Sequence, residues 1–324
     1  MGNEDIDLGL KNIWGTWFAF RKGKRMSREI AEFQYSLEKN LLQLQKDLEE
    51  GIYEHGPYRT FTVCENKKRK ISVASVRDRI VHRLLYNYLV PIWDKTFIYD
   101  AWSCRKGKGL LAAIQRTQKF LKLYPNAYIW RADIKKFFDN VDHEILLRII
   151  ARRTSSPKFA ALAKKIVMSS TTGLGLRGGG ELKGIPIGNL TSQIFSNIYL
   201  NELDHFVKHK LKPKAYLRYG DDFLIFETNE ILLGQMRLQT IAFLSNSLKL
   251  TVNPKNDVLL KSKHGLKFLG VDIWPSGRKL NKRNKKRISS RLNLRNLPSY
   301  HGLTKQHGSK KSQKVFDWQI YELI

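Results

Sequence analysis

The chain has 324 residues, and its 58 Lys and Arg against 29 Asp and Glu give a formal net charge of +29, which predicts a polyanionic partner such as nucleic acid. With 42% hydrophobic and 11% aromatic residues, 22 glycines and 9 prolines, it is neither a mainly disordered chain nor a collagen-like one. The two cysteines, Cys64 and Cys104, indicate a reducing cytoplasm, and the lack of any run of about 18 apolar residues argues against a membrane partner.

The N-terminal third predicts two helices separated by a hairpin. Apolar residues that step by three and four predict an amphipathic helix over about 27–50, and a second helix is predicted over 76–89. Between them, the alternating segments 59–63 and 70–74 flank the turn Asn66-Lys67-Lys68-Arg69, which predicts a hairpin with a cationic tip.

The middle of the chain predicts strands and a helix around acidic residues. A strand is expected over 128–134, followed by a helix that Asp142 caps. The glycine cluster at 173–180 predicts a loop, and no Gly-Lys-Ser/Thr follows it, so it is not a phosphate-binding P-loop. After a helix over about 190–208, the apolar runs 215–219 and 223–226 bracket Gly220-Asp221-Asp222, which predicts a hairpin with two carboxylates at its turn.

The C-terminal segment carries much of the positive charge. Residues 261–320 contain sixteen Lys and Arg but only two acids. Leucines and an isoleucine recur among these cations at helical spacing, which favours a basic amphipathic helix along a phosphate backbone over a solvated tail. The densest run consists of Lys282, Arg283, Lys285, Lys286 and Arg287.

The adjacent aspartates at the hairpin turn predict a metal site. Two like charges a few ångströms apart repel, and a divalent cation with a preference for hard oxygen ligands, such as Mg²⁺, neutralises both. Asp133 ends its own predicted strand, so if the strands adjoin, Asp133, Asp221 and Asp222 form a carboxylate group suited to phosphoryl transfer. The alternative for the tripeptide alone is an ordinary hairpin turn.

Four motifs, which occur in order between about residues 59 and 273, together resemble the reverse transcriptases. Tyr219-Gly220-Asp221-Asp222-Phe223 resembles their central hairpin, and the segment 132–138 resembles the preceding metal-binding strand. Ser75–Val81 is similar to a fingers segment, and Lys267–Gly270 to the primer-grip hairpin. The resemblance implies an α+β right-hand polymerase with N-terminal helices and fingers at 1–124, a palm at 125–275 and a small basic thumb at 276–324. It also implies RNA-directed DNA synthesis from deoxynucleoside triphosphates with two Mg²⁺ ions, for which Mn²⁺ can substitute.

One segment resembles a narrower class. Ile187-Gly188-Asn189-Leu190-Thr191-Ser192-Gln193 stands where most reverse transcriptases have a Gln-Gly…Ser-Pro pattern, and its Ile and terminal Gln resemble enzymes of diversity-generating retroelements. Those enzymes, in bacteria or phage-infected cells, copy a template RNA with errors at adenines, and the mutated cDNA diversifies a target gene. The resemblance implies a homo-oligomeric, small basic accessory variability protein as a partner, beside template RNA and its RNA/DNA or cDNA primer duplex.

The resemblance also assigns roles to individual residues. It implies metal binding by Asp133, Asp221, Asp222 and Ile134, and proton donation to pyrophosphate by Lys255. The implied nucleotide-binding residues are Lys68, Arg69, Phe138, Ile187 and Gly188, with Phe138 as the steric gate. Ile187 and Gln193 are the implied fidelity residues, because Ile187 lacks an amide that could sense base-pair geometry. The implied primer and template contacts are Phe268, Leu269, Gly270 and the five cations of the densest basic run.

Three alternatives remain open. A retron or group II intron-like reverse transcriptase predicts Gln at position 187 and Pro at position 193, where this chain has Ile and Gln. An RNA-dependent RNA polymerase also carries Gly-Asp-Asp, but it generally has an acidic residue where Phe138 stands. A non-catalytic RNA-binding protein that keeps the palm as a scaffold tolerates loss of the carboxylates, yet all three are present.

Overall fold

The computed structural model describes residues 5–64, 68–169 and 182–323. The predicted glycine-rich loop at 173–180 and the turn residues Asn66 and Lys67 lie outside these ranges. The chain divides into two compact units, the first formed by 1–98, 134–206 and 241–251 and the second by 99–133, 207–240 and 252–324. The boundaries expected after residues 124 and 275 stay a prediction.

Helices and strands alternate irregularly along the chain. The helices are α1 (Leu10–Arg21), α2 (Arg28–Tyr35), α3 (Leu37–Glu49), α4 (Val76–Trp93), α5 (Leu110–Leu123), α6 (Phe137–Asn140), α7 (His143–Ala151), α8 (Pro157–Met168), α9 (Leu190–His205), α10 (Glu230–Leu248), α11 (Lys282–Arg291), α12 (Leu297–His307) and α13 (Lys310–Tyr321). The strands are β1 (Arg59–Cys64), β2 (Lys68–Val73), β3 (Tyr128–Asp133), β4 (Ala215–Tyr219), β5 (Asp222–Glu227), β6 (Val258–Lys261), β7 (Leu266–Phe268), β8 (Val271–Ile273) and β9 (Arg278–Leu280). No helix within the described ranges is long and apolar enough to cross a membrane.

The first unit is mainly helical, and one prediction about its helices was wrong. The helix expected over 27–50 is two helices, because Ser36 leaves helical geometry at φ −114° and ψ 42°. The Asn40 side chain donates to the Phe33 carbonyl at 2.9 Å near this break. The predicted apolar stripe is nevertheless correct at Leu41, Leu44 and Leu48, which are buried.

Helix α4 is the centre of the first unit, where it packs against α1 and α9. Its buried Asp78 carboxylate accepts hydrogen bonds from the Tyr53 hydroxyl and the Ser75 hydroxyl, each at 2.7 Å, and from the Gly56 amide at 3.2 Å. A buried charge requires such partners. Burial, together with the Asp78 charge, raises the pKa of Tyr53, so its phenol remains a donor.

The second unit contains an antiparallel four-stranded sheet in the order β4-β5-β3-β6. One face of this sheet, with Ile129, Leu217, Leu224 and Phe226, packs against α5 in a buried core. This arrangement confirms the predicted hairpin of β4 and β5 and the α+β class with antiparallel sheets.

A second antiparallel sheet, in the order β7-β8-β9, precedes three C-terminal helices. The predicted basic helix is present as α11, and it ends at Arg291 because Leu292 adopts an extended conformation. Ile288 is buried with Leu280, Tyr300 and Phe316 in a small core, while Lys282, Arg283, Lys285 and Lys286 are exposed.

The buried imidazole of His82 on α4 makes the stability of the first unit depend on pH. Burial, with a smaller contribution from His55, lowers the pKa of His82 to about 3, against about 6.5 in an unfolded chain. Between these values the unfolded state binds the extra proton, so we expect the free energy of unfolding to fall as pH falls from about 7 to 5. The charged groups facing His82 are Asp78 and Arg79.

Urea unfolding at several pH values measures how steeply the free energy of unfolding changes with pH, in the wild type and in His82→Gln. The variant should show a shallower slope, by up to about 1.4 kcal/mol per pH unit for the one group removed. His264→Gln is the matched control, because His264 is exposed. Equal slopes in wild type and His82→Gln would contradict the expectation.

Candidate active site

Two strand ends and one turn bring the predicted carboxylates onto neighbouring positions of the four-stranded sheet. Strands β4 and β5 are joined by the two-residue turn Gly220-Asp221, in which Gly220 has φ +63°. Glycine at the first position of such a turn is typical of the hairpin turn called type II′. The register sets Asp222 opposite Tyr219 on one side and opposite Asp133 on the other. The backbones of all three aspartates therefore meet at one end of β4, β5 and β3.

The two carboxylate oxygens of Asp133 have different environments. Oδ2 accepts a hydrogen bond from the Asn256 amide at 2.6 Å. Oδ1 is buried, and it has no hydrogen-bond partner in the described part of the chain. A buried acceptor without a donor is costly, and a divalent cation with oxygen ligands removes that cost. The donor chemistry at Asp133 therefore fits Mg²⁺.

The carboxylate side chains do not form a complete metal-binding site. Within the described ranges, no group of three or more His, Cys, Asp or Glu side chains is arranged to hold a metal ion. The register brings the backbones of Asp133 and Asp222 together, whereas side-chain direction is a separate variable. Joint coordination of an ion by the three aspartates requires their side chains to reorient.

A short turn after α10 is bound to Asp133 twice. The Asn253 amide donates to the Asp133 carbonyl at 2.9 Å, in addition to the side-chain bond from Asn256. Lys255 lies between these two residues on a 3₁₀ turn, and its side chain is exposed. The hydrogen bonds of Asn253 and Asn256 to Asp133 fix the backbone on both sides of Lys255. The role of Lys255 as a proton donor stays a prediction.

In the first unit, the segment that contains Ile187 and Gly188 is bonded to strand β2. The Ser72 amide donates to the Ile187 carbonyl at 2.9 Å, and the Asn189 side chain donates to the Ser72 carbonyl at 3.1 Å. Gly188 has φ +114°, and a Cβ there would lie 2.9 Å from Ile71 Cγ2 and 3.1 Å from the Ser72 carbonyl oxygen. The glycine thus permits close approach of strand β2, a reason that the sequence did not reveal.

The remaining predicted nucleotide-site residues also belong to the first unit. Lys68 and Arg69 are exposed on β2. Phe137 is buried and Phe138 is half-buried, with ring centroids 5.3 Å apart. They belong to the helical turn α6, which follows Lys136 in the left-handed region, so their different exposure arises on a helical turn.

Comparison with known proteins identifies the family of this chain. The family described as "Reverse transcriptase (RNA-dependent DNA polymerase)" matches residues 56–273 of this chain. The chain belongs to the reverse transcriptase family.

Curated relatives of this reverse transcriptase include a group II intron-encoded protein. Protein YkfC of Escherichia coli is 28% identical over 267 residues, covering 70% of this chain and 69% of YkfC. Group II intron-encoded protein LtrA of Lactococcus lactis is 21% identical over 305 residues, covering 73% of this chain and 50% of LtrA. The chain thus spans about half the length of LtrA.

A solved telomerase shares the fold of this reverse transcriptase. The telomerase from Candida albicans, determined with a fragment of telomeric RNA, superposes with a TM-score of 0.52 at 12% identity. The match covers 88% of this chain and 58% of the telomerase chain. This likeness confirms the predicted right-hand polymerase fold.

The other predicted site residues of the reverse transcriptase occupy varied positions. Ile134 is buried, and Gln193 is exposed on α9. Leu269 and Gly270 form the turn between β7 and β8 with φ +49° and +81°, as in a type I′ turn. The Phe268 side chain is buried in the core, which leaves only its backbone for a primer contact.

Sequence reasoning missed Asn256, the residue that bonds the Asp133 carboxylate. The available signal was Asn253-Pro254, because Asn before Pro favours a turn, and the Asn253 side chain accepts from the Lys255 amide. That signal predicts the turn but not its partner, which lies 123 residues away along the chain.

Substitution of Gly188 tests the bond between the 187–189 segment and β2. Gly188→Ala should lower the free energy of unfolding by about 1–3 kcal/mol, because the backbone is in a region that L-residues avoid and the new Cβ contacts Ile71 and Ser72. We also expect a higher KM for deoxynucleotides in primer extension. Gly51→Ala is the matched control, since Gly51 has φ +72° but nothing within 4 Å of its added Cβ.

The control separates backbone strain from crowding. Gly51→Ala should destabilise the protein by less and leave KM unchanged. An equal loss of stability in the two variants, or an unchanged KM in Gly188→Ala, would contradict the account.

Proposed function

We propose that this reverse transcriptase extends a primer along template RNA by transferring deoxynucleotides, with the catalytic group at Asp133, Asp221 and Asp222. The observation that carries the proposal is the register of β5 with β3 and β4, which sets Asp133 opposite Asp222 beside the Asp221 turn. The buried Oδ1 of Asp133, which lacks a partner in the described chain, supports the same conclusion.

In this proposal the three aspartates, with the Ile134 carbonyl, would hold two Mg²⁺ ions. Bound Mg²⁺ supplies charge neutralisation to the triphosphate and lowers the pKa of the primer hydroxyl. The chain's own residues bind the nucleotide, select its sugar and donate a proton. Lys68 and Arg69 bind the triphosphate, the Phe138 ring excludes a ribose 2′-hydroxyl, and Lys255 Nζ donates a proton to the departing pyrophosphate. The exposed cations of α11 bind the template–primer duplex through its phosphates.

Alanine substitution of the aspartates tests the reaction. Asp133→Ala, Asp221→Ala and Asp222→Ala should each lower the rate of primer extension at least about a hundredfold, as loss of a charge-stabilising group commonly does. Binding of primed RNA should survive, since the aspartates add negative charge to the site. Primer extension and RNA binding are measured on the same preparations.

Asp139→Ala is the matched control, because Asp139 is an exposed carboxylate on α6. It should retain full extension. A wild-type chain that binds primed RNA and extends nothing with Mg²⁺ or Mn²⁺ would favour the non-catalytic RNA-binding alternative.

A finer proposal concerns fidelity. The Ile187 and Gln193 motif favours a diversity-generating retroelement enzyme that misincorporates at template adenines and acts with a small basic accessory protein. The relative LtrA equally supports the second candidate, a group II intron-like or retron-like enzyme without programmed mutagenesis. On the first reading, an aliphatic side chain at position 187 weakens the energetic difference between right and wrong bases, and about 1.4 kcal/mol corresponds to tenfold in rate.

Sequencing the cDNA made on primed RNA decides between the two candidates. If the first is correct, errors concentrate opposite adenines, and Ile187→Gln reduces this excess about tenfold because an amide again senses base-pair geometry. Ile231→Gln, at an exposed isoleucine of α10, is the matched control and should leave the error spectrum unchanged. Faithful copying at adenines, with and without a basic accessory protein, would support the second candidate.

A further inference from the structure

A chain of hydrogen-bonded polar groups, of which Thr191 and His82 are buried and His55 is half-buried, connects the start of α9 to α4. The Thr191 Oγ1 lies 2.6 Å from His82 Nδ1, and His82 Nε2 lies 3.0 Å from His55 Nε2. The other ring nitrogen of His55, Nδ1, lies 2.5 Å from the Gly56 carbonyl oxygen. Thr191 and His82 are each 1% exposed, so water is not an alternative partner for their side chains.

With both imidazoles neutral, hydrogen-bond chemistry fixes the direction of this chain. The Gly56 carbonyl only accepts, so His55 Nδ1 carries the proton and His55 Nε2 accepts. His82 Nε2 must then donate, which leaves His82 Nδ1 to accept from the Thr191 hydroxyl. Burial keeps His82 neutral, since it lowers the pKa of this ring to about 3.

The same short segment is anchored at three further points. The Ser192 hydroxyl donates to the Pro186 carbonyl at 2.7 Å, which closes the turn that leads into α9. The Ile187 carbonyl and the Asn189 side chain are both bonded to Ser72 of β2. The hydrogen bond between Thr191 and His82 ties this turn to α4, the central helix of the first unit, in addition to the packing of α9 on α4.

We infer that His82 and Thr191 are positioning residues, which hold the 187–188 segment through the one-directional chain Thr191–His82–His55 so that it is ready to meet the incoming deoxynucleotide. The inference rests on the proposed function, because it takes Ile187 and Gly188 as nucleotide-site residues. Neither residue contacts the reacting atoms in this account. Their effect is to order the segment before the nucleotide binds, so that binding does not carry the cost of ordering it.

The test removes the Thr191 hydroxyl, which is the first donor of the hydrogen-bond chain. Thr191→Val keeps the side-chain shape but removes the donor to His82 Nδ1. In primer extension with Mg²⁺ and each deoxynucleoside triphosphate, we expect KM to rise about tenfold, equivalent to about 1.4 kcal/mol, with a much smaller change in kcat. Thr191→Ser restores the hydroxyl and should return KM towards the wild-type value.

Thr154→Val is the matched control, because Thr154 is a buried threonine of the same unit whose hydroxyl donates to the Ile150 carbonyl. It should lower stability without raising KM. If Thr191→Val and Thr154→Val change KM equally, or if Thr191→Ser fails to rescue KM, the positioning role is wrong. A wild-type chain that does not extend primers at all would instead remove the proposed function.

A second measurement needs neither activity nor a destabilised variant. Long-range ¹H–¹⁵N NMR of the wild-type protein reports which ring nitrogen of each histidine is protonated. We expect a proton on His82 Nε2 and on His55 Nδ1, and none on His82 Nδ1. A proton on His82 Nδ1 would mean that the hydrogen bonds run in the opposite direction, and it would overturn the inference.

Discussion

The antiparallel pairing of β3 with β5 is the constraint on which the candidate active site depends. It sets Asp133 opposite Asp222, and the two-residue turn after β4 adds Asp221 beside them. Like charges on directly opposed residues destabilise a sheet. The hydrophobic strands around them, with Trp130, Phe223 and Phe226 fully buried, supply the stability that tolerates this repulsion. Register is strongly specified where the side chains of one face must stay in a core, so the apolar core that stabilises the sheet also fixes the position of its carboxylates.

The parts of the structure that the sequence predicted are those controlled by neighbouring residues. The cap at Asp142 is local, since its carboxylate accepts from the Ile145 amide three residues on. The Gly220-Asp221 turn is equally local, because its glycine supplies the positive φ that the hairpin needs. The resemblance to reverse transcriptases predicted the right-hand fold, which the telomerase superposition confirms. Periodicity alone would not have given that fold, because it reports helices and strands but not their arrangement.

The parts that the sequence did not predict depend on partners distant along the chain. The helix break at Ser36 is invisible in the apolar stripe, which continues through it. Asn256 and Asp133 are 123 residues apart, and Thr191 and His82 are 109 apart. The sequence singled out Gly188 for close approach to a nucleotide, which stays a prediction, whereas the atoms that a Cβ there would meet belong to Ile71 and Ser72. Without the fold, a lone Asn, His or Thr gives no indication of which polar group it will satisfy.

The use of histidine to anchor the 187–192 segment follows from the charge of the protein. A buried Asp or Lys at position 82 would need a counter-ion, and the nearby Asp78 is already occupied by Tyr53, Ser75 and Gly56. In a chain with a net charge of +29, a further buried cation would also be repelled by the remainder of the protein. A neutral imidazole donates with one nitrogen and accepts with the other, so the rings of His82 and His55 connect Thr191 to Gly56 without a carboxylate or an amine. The arrangement needs no buried counter-ion, so it is compatible with the strongly basic composition of the chain.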